Sequence, residues 1–178
     1  MIISLIGYMG SGKSHISKVL SQKTHLKLID LDKEIILKNN MSIPEIFEKR
    51  GEIYFRKEER ALLEEILNNE KECILSLGGG TPSYYNNIDL ITSQSESVYL
   101  RTSVGTLAGR LLKQKQKRPL IAKIADEDLP EFIAKHLFER QVFYGQAKYT
   151  VSTDSKTPEE IAAEIMTLLN PLSNHLHH

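Results

Sequence analysis

The residues Gly7-Tyr8-Met9-Gly10-Ser11-Gly12-Lys13-Ser14 complete a G-x-x-x-x-G-K-[ST] pattern between the largely apolar run Ile2–Ile6 and a helix-forming stretch. Few short patterns constrain a fold so tightly, because this one works only as strand, glycine-rich turn and helix. Gly7, Gly10 and Gly12 permit backbone conformations and close approaches that a Cβ would block. The amides of the turn and of the helix's first turn then converge on phosphate oxygens. Lys13 supplies a positive charge for the β- and γ-phosphates, and the Ser14 hydroxyl is a ligand for Mg2+. The expectation is a nucleoside triphosphate site at the first strand end.

The chain has 178 residues, enough for one domain with a single sizeable core. Its 23 basic residues balance its 23 acidic ones, so no global field would recruit nucleic acid or an anionic membrane. No apolar run is long enough to cross a bilayer, and the chain enters a strand at once, which leaves no space for a signal peptide. The single cysteine, Cys73, sits in an apolar segment and reads as a buried structural thiol, consistent with a reducing cytoplasm. His175, His177 and His178 follow Pro171 without helical periodicity, so residues 171–178 read as a flexible tail outside the functional part.

Short strand-like runs alternate with helical ones. The strands are predicted at Ile2–Ile6, Lys27–Leu31, Cys73–Leu77, Ser97–Leu100 and Tyr149–Ser152. Helices are predicted at Ser14–Lys23, Asp32–Asn39, Ile43–Arg50, Tyr54–Asn69, about Val104–Lys113 and Pro130–Gln141, with a last one opened by the capping box Thr157-Pro158-Glu159-Glu160. Such alternation implies an α/β fold, a parallel sheet with helices on both faces and ligands at the carboxyl ends of its strands.

The remaining motifs fall at those ends. Asp30 and Asp32 lie two apart and would share a face of an extended segment, which suits metal coordination and activation of a hydroxyl; the alternative is an acidic helix cap. Gly78-Gly79-Gly80 ends the third strand without an aspartate, so the backbone there must bend sharply or touch a ligand. Arg56, Glu59 and Arg60 are spaced either for a solvated salt-bridged face or, with Arg56 opening its helix, for a guanidinium fork on a substrate carboxylate. Lys113–Leu120 is a basic segment that reads as a generic exposed loop or, in a phosphotransferase, as a lid that excludes water. Arg140 near a helix end suits the helix dipole there.

Taken in order, the phosphate loop, Asp30-Leu31-Asp32, Gly51-Glu52-x-x-Phe55-Arg56-x-x-Glu59, Gly78-Gly79-Gly80, Arg118-Pro119-Leu120 and Arg140-x-x-x-Tyr144 resemble the shikimate kinase family up to about Asn170. The resemblance implies a P-loop NTPase with an adenylate-kinase-like three-layer fold, a five-stranded parallel sheet flanked by helices. It implies one kinase domain over residues 1–170, with a substrate-binding region at about 32–60 and a lid at about 112–126. The implied reaction moves the γ-phosphoryl group of ATP to the 3-hydroxyl of shikimate with Mg2+, in aromatic amino-acid synthesis, by a cytoplasmic monomer.

By matching positions, Lys13, Asp32 and Arg118 form the catalytic set. Gly10, Ser11, Gly12, Lys13, Ser14, His15, Arg110, Arg118 and Lys156 would bind ATP, with Thr153–Pro158 beside the adenine. Asp32, Arg56, Gly79, Gly80 and Arg140 would bind shikimate, walled by Ile43, Phe47 and Phe55. Ser14 and Asp30 would face the metal, Asp30 directly or through water. Two positions depart from the family pattern: Leu77 stands where a small polar residue is common, and Ile121 stands for leucine. A gluconate-type kinase of the same fold is the alternative enzyme, and a non-catalytic ATP-binding module the alternative class.

Overall fold

Alternate residues of each strand feed different cores, and this builds the layers. The computed structural model describes residues 1–173. Its strands are β1 (Ile2–Ile6), β2 (Leu28–Asp30), β3 (Cys73–Ser76), β4 (Glu96–Arg101) and β5 (Tyr149–Ser152). All pair in parallel, in the order β2-β3-β1-β4-β5. Ile3, Leu5, Ile74, Val98 and Leu100 point to one face, where α1 (Lys13–Thr24) and α8 (Pro158–Ser173) cover them. Ile2, Ile6, Cys73, Leu75 and Tyr99 point to the other face, beneath α4 (Glu52–Asn69), α5 (Asn87–Gln94), α6 (Val104–Gln114) and α7 (Leu129–Tyr144). A sheet buried on both faces needs such nearly continuous apolar strands.

The shorter helices α2 (Leu31–Asn39) and α3 (Ile43–Arg50) lie between β2 and α4. Ser42 caps α3, accepting from the Glu45 amide at 3.3 Å, and Pro44 sits in its first turn, where a missing N–H costs nothing. Cys73 is fully buried, and burial pushes its thiol up to about 11, in line with a structural thiol. Among the described residues, no helix is long and apolar enough to cross a membrane.

Several boundaries differ from the sequence pattern. Helix α2 begins at Leu31, so Asp30 and Asp32 do not share an extended face. Asp30 is the N-cap, accepting from the Lys33 amide at 3.2 Å, and Asp32 stands in the first turn. Arg56 is the fifth residue of α4 and does not open it, because Glu52 and Ile53 are already helical. Helix α5 was not legible: its apolar residues Ile88, Leu90 and Ile91 are too few to fix a period, and the burial of Ile88 and Ile91 decides the element. Helix α8 runs past Pro171 to Ser173. The histidine tail at His175, His177 and His178 lies outside the described residues.

Candidate active site

The phosphate loop joins β1 to α1, and its shape rests on two left-handed glycines, Gly10 at φ 83° and Gly12 at φ 91°. A side chain at either would be strained by its own Cβ. Lys13 folds back over the loop: its ammonium donates to the carbonyl of Gly7 and, at 3.2 Å, to that of Tyr8. Arg110 reaches across from α6 and donates to the Gly10 carbonyl at 3.0 Å. These contacts hold the loop open around a cleft of about 600 Å³.

Every residue expected to bind ATP lines that cleft: Gly10, Ser11, Gly12, Lys13, Ser14, His15, Arg110, Arg118 and Lys156. So do Asp30, Asp32 and Gly79. Lys156 is engaged with Glu164 at 2.8 Å, so its charge is already partnered in this state. Arg118 is held near Gln114 at 3.3 Å, and the segment around it is pinned at both ends. Lys115 pairs with Asp126 at 2.9 Å, and Ile121 is fully buried. Ile121 is therefore an anchor: burying such a side chain stabilises by about 1.5–3 kcal/mol, while neighbouring Leu120 stays exposed.

Gly80, Arg56 and Arg140 are not part of the cleft wall itself but gather beside it, and the triple glycine is what brings them there. A Cβ on Gly78 would stand 3.0 Å from Asp32 Oδ1, one on Gly79 3.1 Å from Arg140 Nη1, and one on Gly80 2.8 Å from Arg56 Nη2. Three successive Cα atoms each receive one functional side chain. None of the three shows a left-handed φ, so the glycines are required for close approach, and what approaches is the protein's own Asp32, Arg140 and Arg56. Leu77 is buried in the apolar core yet also borders the cleft, where Ser76 is the polar side chain that closes β3.

The two arginines differ in electrostatics. Arg56 Nη1 donates to Glu59 Oε1 at 3.0 Å, and Glu59 is buried, with its other oxygen accepting from Thr81 Oγ1 at 2.8 Å. The bland salt-bridge reading of Arg56 is thus half right: the pair exists, but it is buried beside the cleft. No carboxylate pairs with Arg140 among the described residues. Its guanidinium lies 5.7 Å from the centre of the Tyr8 ring, near Tyr144, whose hydroxyl donates to the Gly79 carbonyl.

Crowded cations and burial shift the titrating groups. Burial first, then the nearby Glu59 and Asp30 charges, push the Asp32 carboxyl up to about 6 against the pull of Lys13 and Arg56. Burial, helped by Arg118 and Arg140, pushes the Lys13 amine down to about 8, with Asp32 opposing. Paired groups shifted toward neutrality in one cleft are the signature of a reaction centre. The oxygen donors Ser14 and Asp30 open into the same space. Among the described residues, no group of three His, Cys, Asp or Glu side chains could cage an ion. That donor set fits Mg2+ carried in on phosphates and held by one or two protein oxygens.

Sequence reasoning did not single out Met9, Gln114 and Ile161 in the cleft wall, whereas Pro158 closes the segment 153–158 expected beside the adenine. Ile161 had a signal, since it follows the carboxyl end of β5. Sequence reasoning also missed Tyr84, which packs its ring on Arg56 at 3.9 Å; nothing local marks that residue.

A phosphate loop, an adjacent acidic group and cations converging from separate helices define a P-loop phosphotransferase acting on a small acidic acceptor. The comparisons sharpen that class. The family described as shikimate kinase matches residues 9–170. The shikimate kinase of Flavobacterium johnsoniae is 47% identical over 168 residues, covering 94% of this chain and 98% of the relative. The crystal structure of shikimate kinase from Bacteroides thetaiotaomicron superposes with a TM-score of 0.87 at 33% identity, covering 97% of this chain and 98% of that one. Shikimate kinase from Acinetobacter baumannii in complex with shikimate gives a TM-score of 0.84 at 32% identity, covering 97% and 93%. The chain belongs to the shikimate kinase family.

Proposed function

We propose that this chain transfers the γ-phosphoryl group of ATP to the 3-hydroxyl of shikimate, giving shikimate 3-phosphate and ADP. The observation that carries the reading is the approach of Asp32, Arg140 and Arg56 to three consecutive glycines at the end of the phosphate cleft. A ring acid with several hydroxyls needs that set: planar cationic forks for its carboxylate and a carboxylate for its hydroxyls.

The geometry supports the following roles. The loop amides and Lys13 take the β- and γ-phosphates, Lys13 exchanging main-chain carbonyls for phosphate oxygens. Arg118, on the pinned segment 112–126, approaches the transferring group from the lid side and closes the cleft to water, which would otherwise compete as acceptor. Arg140, the fork without a carboxylate partner, and Arg56 hold the shikimate carboxylate against Gly79 and Gly80. Asp32 orients the 3-hydroxyl and accepts its proton as the O–P bond forms. Ser14 and Asp30 would hold Mg2+, which supplies charge neutralisation at the phosphates when bound. Pro158, Ile161 and Arg110 border the base. The enzyme works as a cytoplasmic monomer on this reading.

The deciding assay is ADP production with Mg2+ and ATP, offering shikimate, gluconate and AMP side by side. Turnover with shikimate alone is the expected result. Turnover with gluconate would keep the phosphate site and reassign the arginines, and ATP binding without turnover on any acceptor would favour the non-catalytic module.

Two further results are expected. The pH profile of kcat/KM should be a bell. It rises through about 6 as Asp32 becomes a carboxylate and falls through about 8 as Lys13 loses its charge. In kcat the alkaline limb should sit higher, because bound phosphates favour the ammonium form. A flat profile between pH 5 and 9, on the order of twofold, would remove both assignments. Gly80→Ala should raise the KM for shikimate about tenfold or more with KM for ATP nearly unchanged. Its Cβ would press on both Arg56 Nη atoms at 2.8 and 2.9 Å, and steady-state kinetics at varied shikimate reads the split.

A further inference from the structure

One face of α4 grips the segment that follows the triple glycine. Glu52, Arg56, Glu59 and Arg60 recur at helical spacing on that face. In chain order they meet Tyr84, Gly80 and the Tyr84 ring, Thr81, and finally Tyr85 and Asn87. The Tyr84 hydroxyl donates to Glu52 Oε1 at 3.1 Å. Arg60 Nη1 donates to the Tyr85 carbonyl at 2.9 Å and to Asn87 Oδ1 at 3.1 Å, and Asn87 Nδ2 donates back to the Thr81 carbonyl at 2.8 Å. Tyr85 and Asn86 are both left-handed, at φ 49° and 56°. For a tyrosine that conformation is strained, and it persists because Arg60 and Asn87 hold the turn. The strained turn sets the direction of the residue before it.

That residue is Tyr84, whose ring centre lies 3.9 Å from the guanidinium carbon of Arg56, closer than the Phe55 ring at 5.1 Å. Hydrogen bonds alone do not fix the Arg56 fork. Its Nη1 is taken by Glu59, but its buried Nε has no hydrogen-bond partner, the Glu52 carboxylate standing 3.8 Å away. Beside the Glu59 bond and the looser Glu52 pair, the aromatic face beneath the guanidinium restricts its plane.

We propose that Tyr84 is a positioning residue for the acceptor: its ring fixes the plane of the Arg56 guanidinium, so that the fork meets the substrate carboxylate in one orientation. The proposal rests on the reading of Arg56 as a shikimate carboxylate fork. Its physical basis is pre-organisation. A stacked guanidinium has already lost the side-chain freedom that a free arginine would lose on binding, and the loss appears as affinity.

The test measures shikimate affinity by calorimetry, together with steady-state constants, in Tyr84→Leu, Tyr84→Phe, Arg56→Gln and the Tyr84→Leu/Arg56→Gln double variant. Tyr84→Leu should weaken shikimate about 3- to 20-fold in both Kd and KM, with kcat and KM for ATP within about twofold. Tyr84→Phe keeps the ring and should stay within about twofold of the parent in all constants. In the Arg56→Gln background the leucine change should add less than about twofold, since the group it positions has gone.

An equal loss in both backgrounds would overturn the proposal and leave Tyr84 a packing residue. So would a loss in Tyr84→Phe as large as in Tyr84→Leu, which would assign the effect to the bond with Glu52. Unchanged shikimate affinity in Arg56→Gln would remove the carboxylate fork itself and this proposal with it. A loss in Arg56→Gln but none in Tyr84→Leu would overturn the proposal alone. Should Tyr84→Leu fail to fold, Tyr84→Met fills the same space without a planar ring and is judged by the same ratios.

Discussion

Lys13→Ala is expected to lower kcat by about 10³-fold or more, measured as shikimate-dependent ADP release at saturating substrates. The loop would keep its amides and its two left-handed glycines, so nucleotide binding should weaken far less than turnover. What disappears is the ammonium now held by the Gly7 and Tyr8 carbonyls, which on the proposed mechanism moves to the transferring phosphoryl group. The variant should also remain folded. Burial holds the Lys13 amine near 8, which means that the folded chain disfavours its charged form, and deleting the group relieves that penalty. A melting temperature at or above the parent's, beside lost turnover, separates catalysis from stability. Near-parental kcat would remove Lys13 from the chemistry.

Asp32→Asn carries the second large effect, a fall in kcat of about 10²–10⁴-fold if the carboxylate takes the hydroxyl proton. The pH dependence makes the test specific, because the acid limb near 6 should vanish with the carboxyl group. A surviving limb would move the titration to a neighbour such as Asp30. A fall of about tenfold or less would mean that Asp32 mainly positions the hydroxyl, as a loose phosphoryl-transfer transition state allows.

Stability should move the opposite way. The folded pKa of Asp32 lies above the unfolded value of about 3.9, so its ionisation opposes folding. The penalty is absent below the unfolded pKa, grows as pH rises and is complete above about 6. Asp32→Asn should therefore melt higher than the parent at pH 8 and alike at pH 3.5. Matching melting curves at both pH values would deny the strained carboxylate.

Much of this was open to a reader of the sequence because its signals are local. The phosphate loop announced its strand, turn and helix because only glycines adopt the backbone it needs, and apolar runs announced a sheet covered on both faces. Asp30 illustrates where local reading stops. The pattern Asp30-Leu31-Asp32 identified two acidic residues at a strand end but could not say that the helix starts between them, which turns one into a cap and sends the other toward Gly78.

By itself, then, the sequence determined the class of fold and a phosphate loop at the first strand end, since that chemistry is carried by local spacing, while the expected acceptor residues rested on the ordered resemblance to a family. Tertiary structure alone decided which of them act together. Arg140, with no carboxylate partner among the described residues, reaches Gly79 because α7 packs beside that glycine, far from it in sequence. Arg56 acquired its orientation from Tyr84, Glu59 and Gly80, on elements that meet only when α4 closes on the end of β3. Asp32 and Lys13 acquired their shifted affinities for protons from a shared desolvated cleft. Such properties depend on distance and dielectric, which arise when the chain is packed.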